Sequence, residues 1–98
     1  MVNRIVILGA GESGTGAAIL AKAKGYDVFV SDQGTIKEQY KNELNEKVIE
    51  YEEGMHSIDK IVNALLVIKS PGIPEKADVI KKVRARNIPV IDEIEFSF

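Results

Sequence analysis

Glycines at positions 9, 11 and 14 follow the apolar run Ile5 to Leu8 in the spacing G-x-G-x-x-G, and no other segment is better suited to hold an anion. The chemistry is non-covalent. Gly9 admits a tight turn, Gly11 lets the backbone approach a phosphate with no Cβ in the way, and Gly14 lets the next helix pack closely on the strand. Amides in the first turn of that helix, at the positive end of its dipole, would face the ligand. Ser13 reads as the N-cap, with its hydroxyl or amide also in reach of the ligand. Glu12 is discordant: a carboxylate in a phosphate loop repels its ligand unless it faces solvent or meets a sugar or base.

Two further clusters share this character. Asp32 lies 18 residues after Gly14, at the end of a second apolar run, where dinucleotide-binding domains place the acid that takes ribose hydroxyls. The competing reading is an Asx turn that ends the strand. Its neighbours Gln33 and Gly34 offer an amide side chain and an accessible N–H, suited to the edge of a base or sugar. The third cluster, Ser70-Pro71-Gly72-Ile73-Pro74, places two prolines around a glycine and so forms a rigid loop at a strand end.

Other chemistry is poorly supplied. His56 has no partner His or Cys for a metal, no Ser/His/Asp set is evident, and no G-x-x-x-x-G-K-[ST] phosphate loop occurs. Glu52, Glu53, Asp92, Glu93 and Glu95 read as solvated faces or helix N-terminal charge. No catalytic residue and no metal ligand is assigned.

Positioning such loops requires a sheet covered on both faces. Apolar runs of strand length recur at Ile5 to Leu8, Val28 to Val30, Val48 to Ile49, Leu65 to Ile68 and Val90 to Ile91. Helical or turn-rich segments lie between them, the pattern of repeated βαβ units. The fold class expected is therefore α/β, a Rossmann-like three-layer αβα sandwich with a parallel sheet of about five strands and one domain over residues 1–98. Helices are expected at Ser13 to Lys24, with Ala17, Leu20 and Ala21 inward and Gly25 as the stop, and at Thr35 to Asn45, with Thr35 and Glu38 as a near capping box. The small residues Gly14, Gly16, Ala17 and Ala18 would let the first helix lie close to the sheet. A third strand is placed at Lys47 to Tyr51, a short helix capped by Ser57 runs to Asn63, and a further helix spans Ala77 to Arg86, with Val79, Ile80 and Val83 inward. Asp92 to Phe98 starts like a helix and leaves two phenylalanines poorly sheltered, which suggests a chain cut from a longer protein.

The bulk properties narrow the class. The 98 residues are 45% hydrophobic and 29% charged with a net charge of −2, ordinary for a globular chain and without the footprint of a nucleic-acid binder. Cysteine is absent, no apolar run is long enough to cross a bilayer, and the first strand begins too early for a signal peptide. A cytoplasmic protein with no nucleic-acid or membrane partner is the expectation.

The glycine turn with Ser13, the Ser31-Asp32 pair, the segment Lys69 to Pro74 and the run Ile88-Pro89-Val90-Ile91-Asp92-Glu93-Ile94-Glu95-Phe96 occur in an order that resembles the Mur ligase family. The likeness is to the N-terminal domain of its D-glutamate-adding branch. The Ser-Pro-Gly-Ile loop and the Glu-Ile-Glu-Phe ending carry most of it, and the L-alanine-adding branch normally lacks the Pro-Gly pair. The resemblance implies a Rossmann-like domain that binds the UDP part of UDP-N-acetylmuramoyl-L-alanine and needs no cofactor. Gly11, Glu12, Ser13, Gly14, Asp32, Gln33, Gly34, Ser70, Pro71 and Gly72 would line the site. It further implies that ATP, magnesium and catalysis belong to central and C-terminal domains of the same protein, so that these residues bind but do not catalyse. Two departures bear on affinity: Glu12 stands where relatives commonly carry an apolar residue, and Gly34 where a basic one helps hold the nucleotide. The reading from another class is an NAD-binding module of a dehydrogenase or a dinucleotide sensor.

Overall fold

The structure, a computed structural model, describes residues 3–96. Ten elements alternate along the chain: β1 (Arg4–Leu8), α1 (Glu12–Ala23), β2 (Asp27–Asp32), α2 (Glu38–Glu46), β3 (Glu50–Glu53), α3 (Ile58–Ile61), β4 (Leu66–Lys69), α4 (Asp78–Ala85), β5 (Val90–Asp92) and α5 (Glu93–Phe96). The five strands form one parallel sheet in the order β3-β2-β1-β4-β5, so the order reverses between β1 and β4. Strand residues alternate between two cores. Ile5, Ile7, Val28 and Val30 face α1 and α2, while Val6, Leu8 and Phe29 face α3 and α4. The α/β sandwich read from the sequence is present, with helices on both faces.

Helix α1 lies close to the sheet because its inner face is built of small residues. Gly14, Thr15, Ala17, Ala18 and Ala21 are buried, whereas Leu20, assigned to the inner face, is only half-buried. A Cβ on Gly14 would collide with the Gly9 carbonyl oxygen. Gly16, by contrast, is exposed, and a Cβ there would meet no atom within 4 Å, so it plays no part in that close packing. The N-cap is Gly11, and Ser13 sits inside the first turn, which corrects its assignment as the cap.

Two other boundaries differ from the sequence expectation for tertiary reasons. Ile36 is 2% exposed, and its amide donates to Glu53 Oε1 at 2.8 Å. That anchorage holds the chain extended through Lys37, the N-cap, so α2 starts at Glu38 and Thr35 does not cap it. At the other end, Val48 takes a φ of +57°, while its amide and that of Ile49 bond back to Asn45 and Leu44. This is a Schellman ending, and it delays β3 to Glu50. The same pair of bonds closes α1 at Gly25 and Tyr26, and α4 at Asn87 and Ile88.

Ser57 precedes α3, but its hydroxyl bonds to Glu52 Oε1 at 2.5 Å rather than to the helix, which is shorter than expected. Val79, Ile80 and Val83 of α4 are buried, as their spacing requires. Phe96 packs on the core beside α1, with Lys24 Nζ 5.7 Å from its ring centroid, while Phe98 lies outside the described residues. Among the described residues no helix is long and apolar enough to cross a membrane, and no group of three acidic, His or Cys side chains is arranged to hold a metal.

Candidate functional site

Register places the three loops side by side. Leu8 pairs with Ser31 on one flank and with Lys69 on the other, so the segments leaving β1, β2 and β4 emerge at one level of the sheet edge. The crevice at a reversal of strand order is where open α/β sheets take ligands. Gly9, at φ +100°, makes the turn that β1 needs to enter α1, and its amide donates to Ser31 O at 2.9 Å. The Ser70 amide donates to Leu8 O at 3.0 Å, which fastens the third loop to the first.

The result is a cleft of about 380 Å³ at the N-terminus of α1. Of the residues singled out from the sequence, Gly11, Glu12, Ser13, Gly14, Asp32, Ser70 and Pro71 line it. Glu12, Ser13 and Gly14 open the helix, where amides have no intrahelical acceptor. A side chain on Gly11 would meet no protein atom within 4 Å, so the approach to these amides is open. Glu12 is exposed, the arrangement that lets a phosphate share the loop with it.

Asp32 is the clamp between loops. Its Oδ2 accepts from the Ala10 amide at 2.8 Å and its Oδ1 from the Gly34 amide at 2.8 Å. The second bond is an Asx turn, so Asp32 shapes the first loop as well as ending β2. Gly34 lines neither this cleft nor the larger cavity beside it. Gln33 and Gly72 line that cavity, about 540 Å³, together with Met55, His56, Ile58, Ile73 and the start of α4. The Gly72 amide is weakly engaged by Ser70 Oγ at 3.4 Å. Lys69 steadies the loop, with Nζ donating to Ile73 O at 3.1 Å and lying 3.2 Å from Asp92.

One site residue escapes a reading of the sequence. Glu93 has the look of solvated charge there, yet it is 7% exposed and lines the cleft against Gly14. Burial pushes its carboxyl above the usual range, opposed by the Ser13 hydroxyl bond and reinforced by Asp92. The available signal is its place directly after β5, at the same sheet edge as the three loops.

These features define a class: a Rossmann-like α/β domain whose glycine turn leads into a helix N-terminus where the strand order reverses. Residues 4–79 match the family described as the MurD N-terminal domain, and the chain belongs to that family. It is 56% identical over 98 residues, all of its length, to the UDP-N-acetylmuramoylalanine–D-glutamate ligase of Cytophaga hutchinsonii. It is 57% identical over 96 residues to the enzyme of the same name from Bacteroides thetaiotaomicron. The chain covers 22% of each of these relatives, about a fifth of their length. Among solved structures, a pseudomurein peptide ligase type C from Methanothermus fervidus superposes with a TM-score of 0.83 at 26% identity, covering 97% of this chain and 20% of that one. The UDP-N-acetylmuramate-alanine ligase of Thermotoga maritima gives 0.81 at 23% identity over 96% of this chain and 21% of that one, a likeness of fold.

Proposed function

We propose that this chain recognises the nucleotide end of UDP-N-acetylmuramoyl-L-alanine within a longer ligase that adds D-glutamate during peptidoglycan synthesis. The carrying observation is the cleft at the start of α1, where open helix amides, the Asp32 clamp and the Ser70-Pro71 loop converge at the strand-order reversal. The diphosphate lies against the amides of Glu12, Ser13 and Gly14, and the uridine extends over Gln33 and Gly72. ATP and magnesium act in the other domains of that protein, and these 98 residues bind without catalysing. The name carried by the high-identity relatives supports this reading.

Calorimetry and saturation-transfer NMR with UDP, UDP-N-acetylmuramoyl-L-alanine and NAD test it. Binding of the two uridine compounds is expected, with amide shifts centred on residues 11–14. NAD binding without UDP binding would overturn the proposal in favour of a dehydrogenase-type module.

A further inference from the structure

The cleft at the start of α1, the diphosphate cradle on the reading above, has an acidic rim and no cationic side chain among the residues that line it. Its three carboxylates are placed differently. Glu12 is exposed and can turn to solvent. Asp32 has both oxygens bound, Oδ2 to the Ala10 amide and Oδ1 to the Gly34 amide, so its charge is already met by donors. Glu93 has neither outlet. It is 7% exposed, the helix it opens packs on α1, β4 and β5, and a Cβ on Gly14 would stand 3.4 Å from its Oε1.

The charges around Glu93 do not neutralise it. Glu12 on α1, Asp32 at the end of β2, Asp92 on β5 and Glu95 on α5 are all acidic. Lys69, at the end of β4, is engaged elsewhere, with Nζ 3.1 Å from Ile73 O and 3.2 Å from Asp92. Lys24 lies at the far end of α1, over the Phe96 ring. The polar group that Glu93 does meet is the hydroxyl of Ser13, an exposed residue in the first turn of α1.

A serine hydroxyl has one hydrogen to give. While Glu93 is a carboxylate it takes that hydrogen, and Ser13 Oγ turns only lone pairs toward an anion in the cleft. When Glu93 holds a proton the order reverses: its O–H donates to Ser13 Oγ, and the Ser13 hydrogen is free to reach a phosphate oxygen. A negative ligand disfavours the ionised carboxyl. Burial already raises it, against the Ser13 bond and with Asp92 in support.

We propose that Glu93 is a positioning residue for the diphosphate: it takes up one proton from solvent as the ligand binds, and through its O–H turns the Ser13 hydroxyl into a donor to a phosphate oxygen. This relay rests on the reading that the diphosphate lies in the cleft. Proton and ligand then bind together, so affinity falls as pH rises above the ordinary carboxylate value of about 4, by as much as about tenfold per pH unit.

The test follows binding of UDP-N-acetylmuramoyl-L-alanine, whose phosphates keep their charge over this range, by calorimetry across pH and in buffers of different ionisation enthalpy. Expected are net proton uptake, up to about one per ligand, and a Glu93 carboxyl carbon that titrates by NMR at higher pH in the complex than in the free chain. Glu93→Gln, whose amide donates to Ser13 Oγ at every pH, should bind without proton uptake and hold its affinity where the parent loses its own. Ser13→Ala, a change at an exposed position, should weaken binding about tenfold at the acid end and little at the alkaline end, where that hydroxyl is spent on Glu93. Affinity independent of pH in the parent, proton uptake undiminished in Glu93→Gln, or an equal loss from Ser13→Ala at both ends would overturn the relay while leaving recognition of the ligand standing. No binding of the ligand at any pH would overturn both readings.

Discussion

At the scale of single residues the site is a contest among carboxylates. Asp32 spends both oxygens on backbone amides, Ala10 and Gly34, so its contribution to a ligand is inseparable from its hold on the loop. Asp32→Ala should lose UDP binding and also lower stability by about 1–3 kcal/mol, read from chemical denaturation. Unchanged UDP affinity would remove Asp32 from the site. Glu93 behaves differently. Its carboxyl is raised by burial, with Asp92 adding to the effect, the Ser13 hydroxyl opposing it, and Glu12 and Asp32 on the same cleft wall. A carboxyl raised in the folded state holds its proton more tightly there than in the unfolded chain. Its stabilising effect is full below the unfolded value and is lost as pH rises through the folded one. Glu93→Gln should therefore gain stability over the parent as pH rises above the ordinary carboxylate value of about 4, and match it at the acid end. A difference independent of pH in urea titrations would contradict this.

At the scale of elements, the strands are legible because their interiors are apolar, and the helices because their inner faces keep helical spacing. What the chain does not disclose locally is tertiary. Thr35 and Glu38 satisfy a capping pattern, but Ile36 is held in the core and by Glu53, and the helix begins where that hold ends. Glu93 looks like one acid among several because its burial depends on β5 pairing with β4, which no local pattern reports. Val48 is the clearest conflict between local preference and the fold. It is 79% exposed and β-branched, yet occupies the left-handed turn that closes α2, where α1 uses Gly25 and α4 uses Asn87. Val48→Gly should raise stability by about 1 kcal/mol, visible as a higher melting temperature. Gly14→Ala should do the reverse. Its Cβ would collide with the Gly9 carbonyl, so α1 must move off the sheet, costing about 3 kcal/mol and broadening the amide signals of residues 9–15.

For the whole molecule, composition excludes partners more readily than it identifies one. Thirteen basic and fifteen acidic residues nearly cancel, but the side chains bordering the cradle are not balanced: Glu12, Asp32 and Glu93 are all acidic. On the proposed reading, anion recognition there falls to backbone amides working against this charge. Glu12→Gln, which alters an exposed side chain, is expected to tighten UDP binding about two- to fivefold at low salt, with the gain shrinking as salt is added. Calorimetry at two ionic strengths would check it. The class of ligand proposed becomes legible only when the Ser70 to Ile73 loop is weighed with the glycine turn, because the turn by itself is common to many nucleotide-binding sheets.

The central strand β1 completes its pairing only with β4, and Leu8 and Lys69 stand 61 residues apart in the chain. On a ribosome adding about 5–20 residues per second, the glycine turn therefore emerges some 3–12 s before the strand that flanks it, and longer still before Glu93. For that interval β1 is an apolar strand with one edge uncovered. The wall proposed to face the ligand is made early in this stretch of chain and is among the last parts of it to be assembled.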